Sequence, residues 1–511
     1  MTPVLSRSRT ALGCIAVLAV VTVLARLPQL VSPNLLAEGD ECTVGLMGMH
    51  VARGHDLPLF MYGQKYGLAI VEASAAAVSF SIFGAGPVTL KLAILAIWIA
   101  GAAFYFRALA RVLGTARSFW ITLLLVVMPA WAATSMKAWS GYVTAFAATG
   151  LAIDLITGNT DRRTVPWLAA GAMTAVIYFA QPLWLPGLLP IVLYHLVASR
   201  RLSCWTAYGA TTLGLVAGMA AVKKYWLTDV AEIWFGPTPG NPHPLASVAG
   251  LVKQIYVSLT GSFYFANAVV PGRLTAALAG AWFALLCALL LVQAYRLVTR
   301  RYLLWSHLLA LSICLTIGAN WILLEERDAR YVMAMHVPLV FLAGVELFDL
   351  VDRFRIPARR WVAAILLGAA VQAVAMREFA GYSYMWWTNT AGSPSETRTL
   401  HTLIGYMESR GVTHAYAMNM LLPWSITFYS NETIIARWKG SRDRYPPYVL
   451  AVDRALETGR PVAIVGYVGY TYGLERLVPD PKDIVNIDGK YFVYIGPDRD
   501  LLTRAGFRLV R

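Results

Sequence analysis

Residues 10–27 read TALGCIAVLAVVTVLARL, and the acidic cluster Glu38-Gly39-Asp40-Glu41 follows shortly after this apolar stretch. The stretch is long enough to cross a bilayer as a helix. It has no convincing small-x-small cleavage site before Arg26, so we interpret it as a retained anchor and not as a signal peptide. The acidic cluster is the first candidate for chemistry, because the chain otherwise keeps its charges at segment ends. The alternative is that these acids are solvated residues of the first outer loop.

Composition determines the class of protein. The chain has 511 residues, of which 58% are hydrophobic and 14% charged, and its mean hydropathy is +0.57. These values are typical of an integral membrane protein. The net charge of +15 comes mostly from short arginine clusters between apolar runs, without a basic stripe interleaved with aromatic residues. We therefore exclude nucleic acid as a partner and interpret the clusters as topology signals, with a smaller share left for anionic membrane lipid or phosphate.

Apolar segments of spanning length recur along most of the chain. They lie at approximately 10–27, 87–106, 118–135, 142–157, 164–181, 182–198, 203–222, 275–295, 302–324, 331–351 and 361–376. This pattern predicts a polytopic α-helical membrane protein with about eleven transmembrane helices.

Arginines concentrate in every second loop. The clusters are Arg7 and Arg9; Arg107, Arg111 and Arg117; Arg162 and Arg163; Arg200 and Arg201; Arg296, Arg300 and Arg301; and Arg353, Arg355, Arg359 and Arg360. Because positive loops stay in the cytoplasm, we predict a multi-pass protein of the plasma (inner) membrane with a cytoplasmic amino terminus. The outer loops 28–86 and 223–274 and the carboxy-terminal part then lie outside.

The chain divides into two predicted domains, a transmembrane domain over 1–376 and a small extracytoplasmic α/β domain over 377–511. In the second domain, residues 397–410 have a helical pattern, whereas 462–465 and 491–495 are typical of strands. In the first outer loop, Glu41–Val51 and Leu68–Phe83 predict short helices lying in the membrane interface.

Several motifs are absent from the sequence. Of the five cysteines, only Cys42 falls in a predicted outer segment, so no disulfide framework is expected. No His/Cys spacing indicates a zinc site, and we predict no metal ligands, although a divalent cation stays open as a cofactor. No Walker or dinucleotide glycine motif is present, so a soluble nucleotide donor is not expected. The free energy for a reaction outside the membrane must then come from a lipid-linked donor.

A resemblance to a known family rests on several stretches of this chain. They are Glu38–Glu41, Arg53–Gly67, Arg330–Pro338, His414–Tyr416, Thr427–Ser430 and Asp443–Tyr448. Together with the long first outer loop, they resemble the C-type (GT-C) glycosyltransferase superfamily. More narrowly, they resemble the glycosyltransferase family 39 that holds protein O-mannosyltransferases and lipid A aminoarabinose transferases.

The resemblance implies inverting transfer of a sugar from a polyprenyl-phosphate-linked donor to an acceptor hydroxyl on a lipid or cell-envelope glycan. Asp40 matches the first-loop aspartate of the family and is the expected general base. Glu41 is expected to orient the acceptor or to cap the helix. Where well-studied members carry His-Pro-Pro or Lys-Pro-Pro, this chain has Tyr62-Gly63-Gln64-Lys65, so the sugar stays open.

Cations against the donor phosphate would stabilise the charge that develops on the leaving group. The candidates are Lys65, Lys137 and Arg330, from three separate segments. Each has an alternative role as an interfacial anchor, and Lys137 lies beside Trp139, which suits that role. The residues expected to line the substrate pocket are Tyr62, Gln64, Tyr66 and Tyr331.

Three alternatives remain at this stage. Within the enzyme class, the acceptor can be a protein, which would make the chain a protein O-mannosyltransferase. A lipid or polysaccharide transporter or flippase is a different class, but the sequence lacks the matching broken spans and multiple midplane charges typical of one. A non-catalytic scaffold whose outer domain binds a partner is the third.

The arginine pattern predicts which loops are accessible from outside the cell. A cysteine probe introduced at Ser395 should be labelled by an impermeant reagent in intact cells, because the carboxy-terminal region is outside. A probe at Arg162 should be labelled only after permeabilisation. The reverse result would invert the topology.

Overall fold

The structure is a computed structural model. It describes residues 2–55, 57–159, 163–225, 248–261, 272–301, 303–324, 328–381, 396–440 and 443–510. Much of the predicted outer loop 223–274, at 226–247 and 262–271, lies outside these residues, as do the labelling positions Ser395 and Arg162.

The amino-terminal part of the described chain is helical. Its first helices are α1 (Thr2–Leu30), α2 (Gly39–Ala52), α3 (Ile70–Phe83), α4 (Pro87–Leu113), α5 (Thr115–Val126), α6 (Tyr142–Thr157) and α7 (Val165–Ala180). They are followed by α8 (Leu185–Ser199), α9 (Leu202–Tyr225), α10 (Val248–Leu259), α11 (Arg273–Val298), α12 (Leu304–Leu323), α13 (His336–Arg353) and α14 (Ala358–Ala375). Short 3-10 turns include Pro129–Trp131, Thr134–Met136 and Ala329–Met335.

In the described part of the chain, seven helices are long and apolar enough to cross a membrane, which makes this a multi-pass membrane protein. The number becomes eight if α5 and the turns at Pro129–Met136, bent by 62°, form one span. The predicted count of about eleven is not confirmed. Its spans at 142–157 and 164–181 correspond to helices of only 16 residues. The span at 203–222 lies in α9, which is long enough but contains threonines and glycines that lower its hydropathy.

The carboxy-terminal part forms a five-stranded sheet of order β2-β1-β3-β5-β4. The elements are α15 (Glu396–Ser409), β1 (His414–Ala417), α16 (Leu422–Tyr429), β2 (Ile435–Trp438), α17 (Pro446–Glu457), β3 (Val462–Tyr467), β4 (Val485–Ile487), β5 (Tyr491–Ile495) and α18 (Arg499–Arg504). The predicted helix at 397–410 and the predicted strands at 462–465 and 491–495 are α15, β3 and β5. The boundary at 376/377 and the outer location of this part stay predictions.

Helices cover both faces of this sheet. On one face, Leu403 of α15 and Ile426 of α16 belong to one buried apolar cluster. On the other face, Val452 of α17 and Leu502 of α18 belong to another. Strands buried on both sides must be apolar along their whole length, which explains why VAIV at 462–465 lacks the alternation of a half-exposed strand.

The carboxyl-terminal ends of the parallel strands lie against α2. Strands β1 and β2 run parallel, so the segments that follow Ala417 and Trp438 emerge at the same edge. The segment after β1 leads into α16, which packs on α2, and the segment after β2 carries Arg444 to the amino-terminal turn of α2. The carboxy-terminal sheet therefore forms one wall around α2.

Helix α2 is buried on nearly every side, from Gly39 to His50. The sequence predicts a short helix that lies in the membrane interface; the structure confirms the helix but buries it among other segments, and its position relative to the membrane stays a prediction. The reason is tertiary, since α3 and α16 pack against it from two directions. A Cβ at Gly45 would lie 2.5 Å from the Phe428 ring of α16, so glycine permits the close approach of the two helices.

Replacing Gly45 should therefore loosen the junction between α2 and α16. We expect Gly45→Ala to lower the free energy of unfolding by about 1–3 kcal/mol, the usual cost of overpacking. Gly214→Ala is the matched control, because Gly214 of α9 has no atom within 4 Å of an added Cβ. Thermal unfolding in detergent should show a lower melting temperature for the first variant and an unchanged or slightly higher one for the second. Equal melting temperatures would contradict the packing argument.

Candidate active site

Asp40 lies in the first turn of α2, where both of its carboxylate oxygens are engaged. Its Oδ1 lies 2.6 Å from Nη2 of Arg444, and its Oδ2 accepts a hydrogen bond of 2.8 Å from the indole nitrogen of Trp139. The side chain is 17% exposed, so it borders open space. The position follows from the sequence, because Glu38 and Glu41 form a capping box that starts the helix immediately around Asp40.

Electrostatics keep Asp40 ionised. Burial by itself would raise the pKa of this carboxyl. The charge of Arg444, hydrogen bonds from Trp139 and Arg444, and the charge of Arg330 outweigh burial and lower the pKa below its usual value. The helix amino terminus favours a negative charge as well. Asp40 is therefore a carboxylate at neutral pH and is able to accept a proton.

Arg330 approaches Asp40 through Trp139. Its guanidinium lies 4.1 Å from the centre of the Trp139 ring and 4.9 Å from that of Tyr331. It forms an ion pair of 2.8 Å with Asp328 and donates a hydrogen bond of 3.1 Å to the Tyr331 hydroxyl. Cation–aromatic stacking of this kind fixes the plane of the guanidinium. The structure thus brings together Asp40, Arg330 and Tyr331, which the sequence assigned to one site.

Tyr66 stands at the opening of this arrangement. It is 40% exposed, and its hydroxyl interacts electrostatically with Asp40, Arg444, Arg330 and Tyr331. Burial of the remainder raises the pKa of that hydroxyl, so it stays protonated and can donate a hydrogen bond. The predicted pocket residue Tyr66 therefore borders the space beside Asp40. Gln64 and Lys65, also predicted for the site, are half-buried in the same loop.

Glu41 and Lys137 lie in a separate, buried ion cluster with Glu38 and Lys91. The Nζ of Lys137 is 2.9 Å from Glu38 and 3.8 Å from Glu41, and Lys91 forms an ion pair with Glu41. The four side chains are at most 7% exposed. These contacts favour the structural alternatives: Glu41 caps α2 and anchors it to α4, and Lys137 neutralises the carboxylates behind Asp40.

Tyr62 is held in a junction between the first loop and the carboxy-terminal part. Its hydroxyl is 2.8 Å from Nδ1 of His50, and its ring stacks on Tyr445 at 4.7 Å. The other ring nitrogen of His50 lies 3.0 Å from Glu432, which also accepts a hydrogen bond from Tyr448. Burial opposes ionisation of Glu432, but these hydrogen bonds and nearby positive charge lower its pKa to about 2. The described contacts of Tyr62 are with this junction and not with Asp40.

Sequence reasoning missed Arg444, Trp139, Glu38 and Lys91 as members of the two clusters. Lys91 could have been predicted from the sequence as part of a buried ion pair, because a lysine in an otherwise apolar span requires a partner. Arg444 could not have been, since it lies near the other end of the chain in a short loop. The Asp443 carboxylate accepts hydrogen bonds of 2.8 Å from the backbone nitrogens of Trp438 and Arg444, which hold the two residues together.

A partly open apolar pocket lies between α4, α6, α8, α12 and α13. Ala334, which lines it, follows Arg330 by about one helical turn. Its other lining residues include Trp184, Leu309 and Phe341. Among the described residues, no group of three or more His, Cys, Asp or Glu side chains is arranged to hold a metal ion. The positive charges around Asp40 in the described site are those of arginine and lysine.

Comparison with known proteins shows the fold. No family model and no curated protein matches the chain. Among solved structures, it is similar to ArnT from Cupriavidus metallidurans in the apo state, with 15% identity, a TM-score of 0.61, and coverage of 96% of this chain and 100% of that chain. The same protein bound to undecaprenyl phosphate matches with 14% identity, a TM-score of 0.60, and coverage of 95% and 99%. The Archaeoglobus fulgidus oligosaccharyltransferase in the apo form matches with 13% identity, a TM-score of 0.50, and coverage of 91% and 70%.

The chain has the same fold as these ArnT and oligosaccharyltransferase structures, which is the fold that the resemblance to the GT-C superfamily implies. The resemblance that the acidic cluster and the first outer loop indicate is thus confirmed at the level of fold. The likeness covers nearly the whole chain, including the carboxy-terminal part. The assignment of roles to single residues stays a prediction.

If the buried ion cluster anchors α2, removing one charge should destabilise the whole GT-C fold. We expect Lys91→Met to cost about 3–5 kcal/mol, because Glu41 then stays buried without its cation. The double variant Lys91→Met/Glu41→Gln should recover part of that loss. Arg117→Met is the control, since its ion pair with Asp352 is exposed and should contribute at most about 1 kcal/mol. Melting temperatures that are equal for Lys91→Met and Arg117→Met would contradict a structural role for the cluster.

Proposed function

We propose that this protein transfers a sugar from a polyprenyl-phosphate-linked donor to an acceptor hydroxyl at the outer face of the plasma (inner) membrane, with inversion at the anomeric carbon. The observation that carries the proposal is an ionised carboxylate, Asp40, that pairs with Arg444 and is stabilised by the charge of Arg330. The GT-C fold supports the same reaction class.

The acceptor side of the reaction needs a base. An alcohol is a weak nucleophile at neutral pH, so a carboxylate within hydrogen-bond reach must take its proton as the new bond forms. Asp40 is ionised, partly exposed and adjacent to the space bordered by Tyr66. Glu41 is unsuited to this step, because it is buried and paired with Lys91.

The donor side needs positive charge. As the bond between the anomeric carbon and the phosphate oxygen breaks, its electron pair moves onto the phosphate. At about 4 Å, a cation stabilises one unit of that charge by roughly 4 kcal/mol in a partly screened site, before desolvation. Arg330 suits this role, because its stacked guanidinium can bind phosphate oxygens as a fork. Lys65 is a second candidate from the neighbouring loop.

The donor is proposed to be lipid-linked for three reasons. The sequence has no nucleotide motif, an apolar pocket lined by Ala334 lies about one helical turn from Arg330, and the similar ArnT structure has undecaprenyl phosphate bound. We propose a lipid or a cell-envelope glycan as the acceptor. Mass spectrometry of envelope lipids, glycans and secreted proteins from a deletion strain would identify the acceptor and distinguish this proposal from a protein O-mannosyltransferase.

The proposal predicts turnover of a lipid-linked donor by the purified protein without any nucleotide sugar. Asp40→Asn should abolish transfer, because losing general-base assistance costs a factor of about 10² to 10⁴, and it should do so without any loss of donor binding. Arg330→Ala should weaken both donor affinity and single-turnover rate, since this cation contacts the phosphate before and during bond breakage. Arg117→Met, far from the site, is the control.

Three results would count against this scheme. Wild-type transfer by Asp40→Asn would remove the base. A strict requirement for a nucleotide sugar would remove the donor. Unchanged affinity and rate in Arg330→Ala would return that residue to a role as an interfacial anchor.

A further inference from the structure

We propose that Arg444 is a counter-ion shared by the base and the leaving group. In the resting protein it forms an ion pair with Asp40. During transfer, some of its N–H groups donate hydrogen bonds to the departing phosphate instead. The inference rests on the proposed function and adds a residue from the carboxy-terminal sheet to the reaction. Its consequence is that breakage of the donor bond activates the base.

The Arg444 guanidinium makes one short polar contact, with Asp40, and its other described hydrogen bonds are long. Its Nη2 lies 2.6 Å from Asp40, whereas Nη1 meets Thr43 Oγ1 at 3.3 Å and the Met61 sulfur at 3.8 Å, both of which are weak acceptors at these distances. A guanidinium has five N–H donors in a fixed fork. The contacts described for Arg444 therefore leave it able to bind a second anion beside Asp40.

Arg444 and Arg330 act on the same two groups. The charge of each guanidinium helps to lower the pKa of the Asp40 carboxyl and opposes the rise in the pKa of the Tyr66 hydroxyl. A phosphate bound by Arg330 near these groups would therefore also be attracted by the charge of Arg444. Arginine is suited to such sharing, because its fork can divide its hydrogen bonds between two anions.

The backbone of Arg444 is held in place by two neighbouring segments. A Cβ at Gly63 would lie 2.6 Å from the Arg444 Cα, and Gly63 has a φ of +69°, so only glycine allows the two loops to meet this closely. The Asp443 carboxylate holds the Arg444 backbone nitrogen from the other side. Movement is therefore confined to the guanidinium, over the short distance from Asp40 to the site of the phosphate.

Sharing resolves a difficulty in the chemistry. A carboxylate that accepts strong bonds from Arg444 and Trp139 is a weak base, which slows proton transfer. During transfer, the acceptor oxygen bonds to the anomeric carbon, its proton passes to Asp40, and the electron pair of the broken bond goes to the phosphate oxygen. The donor diester carries one negative charge and the released monoester carries more, so Arg444 is drawn to the phosphate as Asp40 must take the proton.

Binding of undecaprenyl phosphate to the full-length purified protein tests the sharing directly. Asp40→Asn should bind this probe at least about 5-fold more tightly than the wild type, because Arg444 is released from the carboxylate. Arg444→Gln should bind it more weakly, and Asp40→Asn/Arg444→Gln should show no gain over Arg444→Gln. Arg53→Gln is the matched control, since Arg53 also joins α2 to the carboxy-terminal part but pairs with Glu432. Its affinity should equal that of the wild type.

The pH dependence of transfer is the second readout. The charged groups near Asp40 are Arg444, Arg330, Glu38 and Lys137, and the Tyr66 hydroxyl is a neutral titratable group beside it. Removing the Arg444 cation should raise the pKa of Asp40, because the charge that favours the carboxylate is lost. The base is active only when ionised. When the solution is acidified, Arg444→Gln should therefore lose activity at a higher pH than the wild type. Arg444→Lys keeps the charge without the fork and should show a smaller shift.

Each outcome has a distinct meaning. Wild-type affinity and an unshifted acid limb in Arg444→Gln and Arg444→Lys would overturn the inference and leave the proposed function intact. If Arg444→Gln does not fold, the Asp40→Asn arm decides, and unchanged affinity there overturns the sharing. A wild-type protein that binds no undecaprenyl phosphate would remove the proposed donor and this inference together.

Discussion

Burial of three carboxylates in the first turn of one helix is the constraint on which this structure depends. Glu38, Asp40 and Glu41 are too close together to be ionised in a dry interior unless cations surround them. No neighbouring residue in sequence supplies one. The cations come instead from α4, from the segment after α5 and from the loop after β2, so that satisfying one helix turn ties distant parts of the chain together.

The three acids differ in burial and in the partners that neutralise them. Glu38 and Glu41 are 1% exposed and are paired with lysines that are 4% and 7% exposed. Their charges are therefore neutralised inside the protein and do not face a substrate. Asp40 faces the other way, toward the space bordered by Tyr66, and its partners are an arginine and an indole. A carboxylate is available to a substrate only where its partners can also interact with that substrate. The buried pairs hold α2 in place, and the partly exposed Asp40 is the carboxylate that we propose as the base.

The carboxy-terminal sheet is part of the site and not an appended module. Its parallel strands end against α2, which is the edge at which α/β sheets commonly bind ligands. Arg444 reaches Asp40 from that edge, and Glu432 accepts hydrogen bonds from His50 and Tyr448 at the same junction. Because the sheet and the first loop share these polar contacts, the sheet also determines the position of the loop that carries Tyr66.

The sequence by itself determined the features that depend on local pattern. Hydropathy over twenty-residue windows identified the membrane protein, and apolar runs located β3 and β5. The acidic cluster and the first outer loop indicated the GT-C fold and the importance of Asp40. Only the tertiary structure decided how the charges pair: that Lys137 neutralises Glu38, that Glu41 belongs to Lys91, and that Arg444 holds Asp40. It also decided the number of helices long enough to span, because bends and short helices interrupt runs that are uniformly apolar in sequence. The physical reason is common to these cases: hydropathy and periodicity are properties of neighbouring residues, whereas an ion pair depends on which distant segments the folded chain brings within a few ångströms.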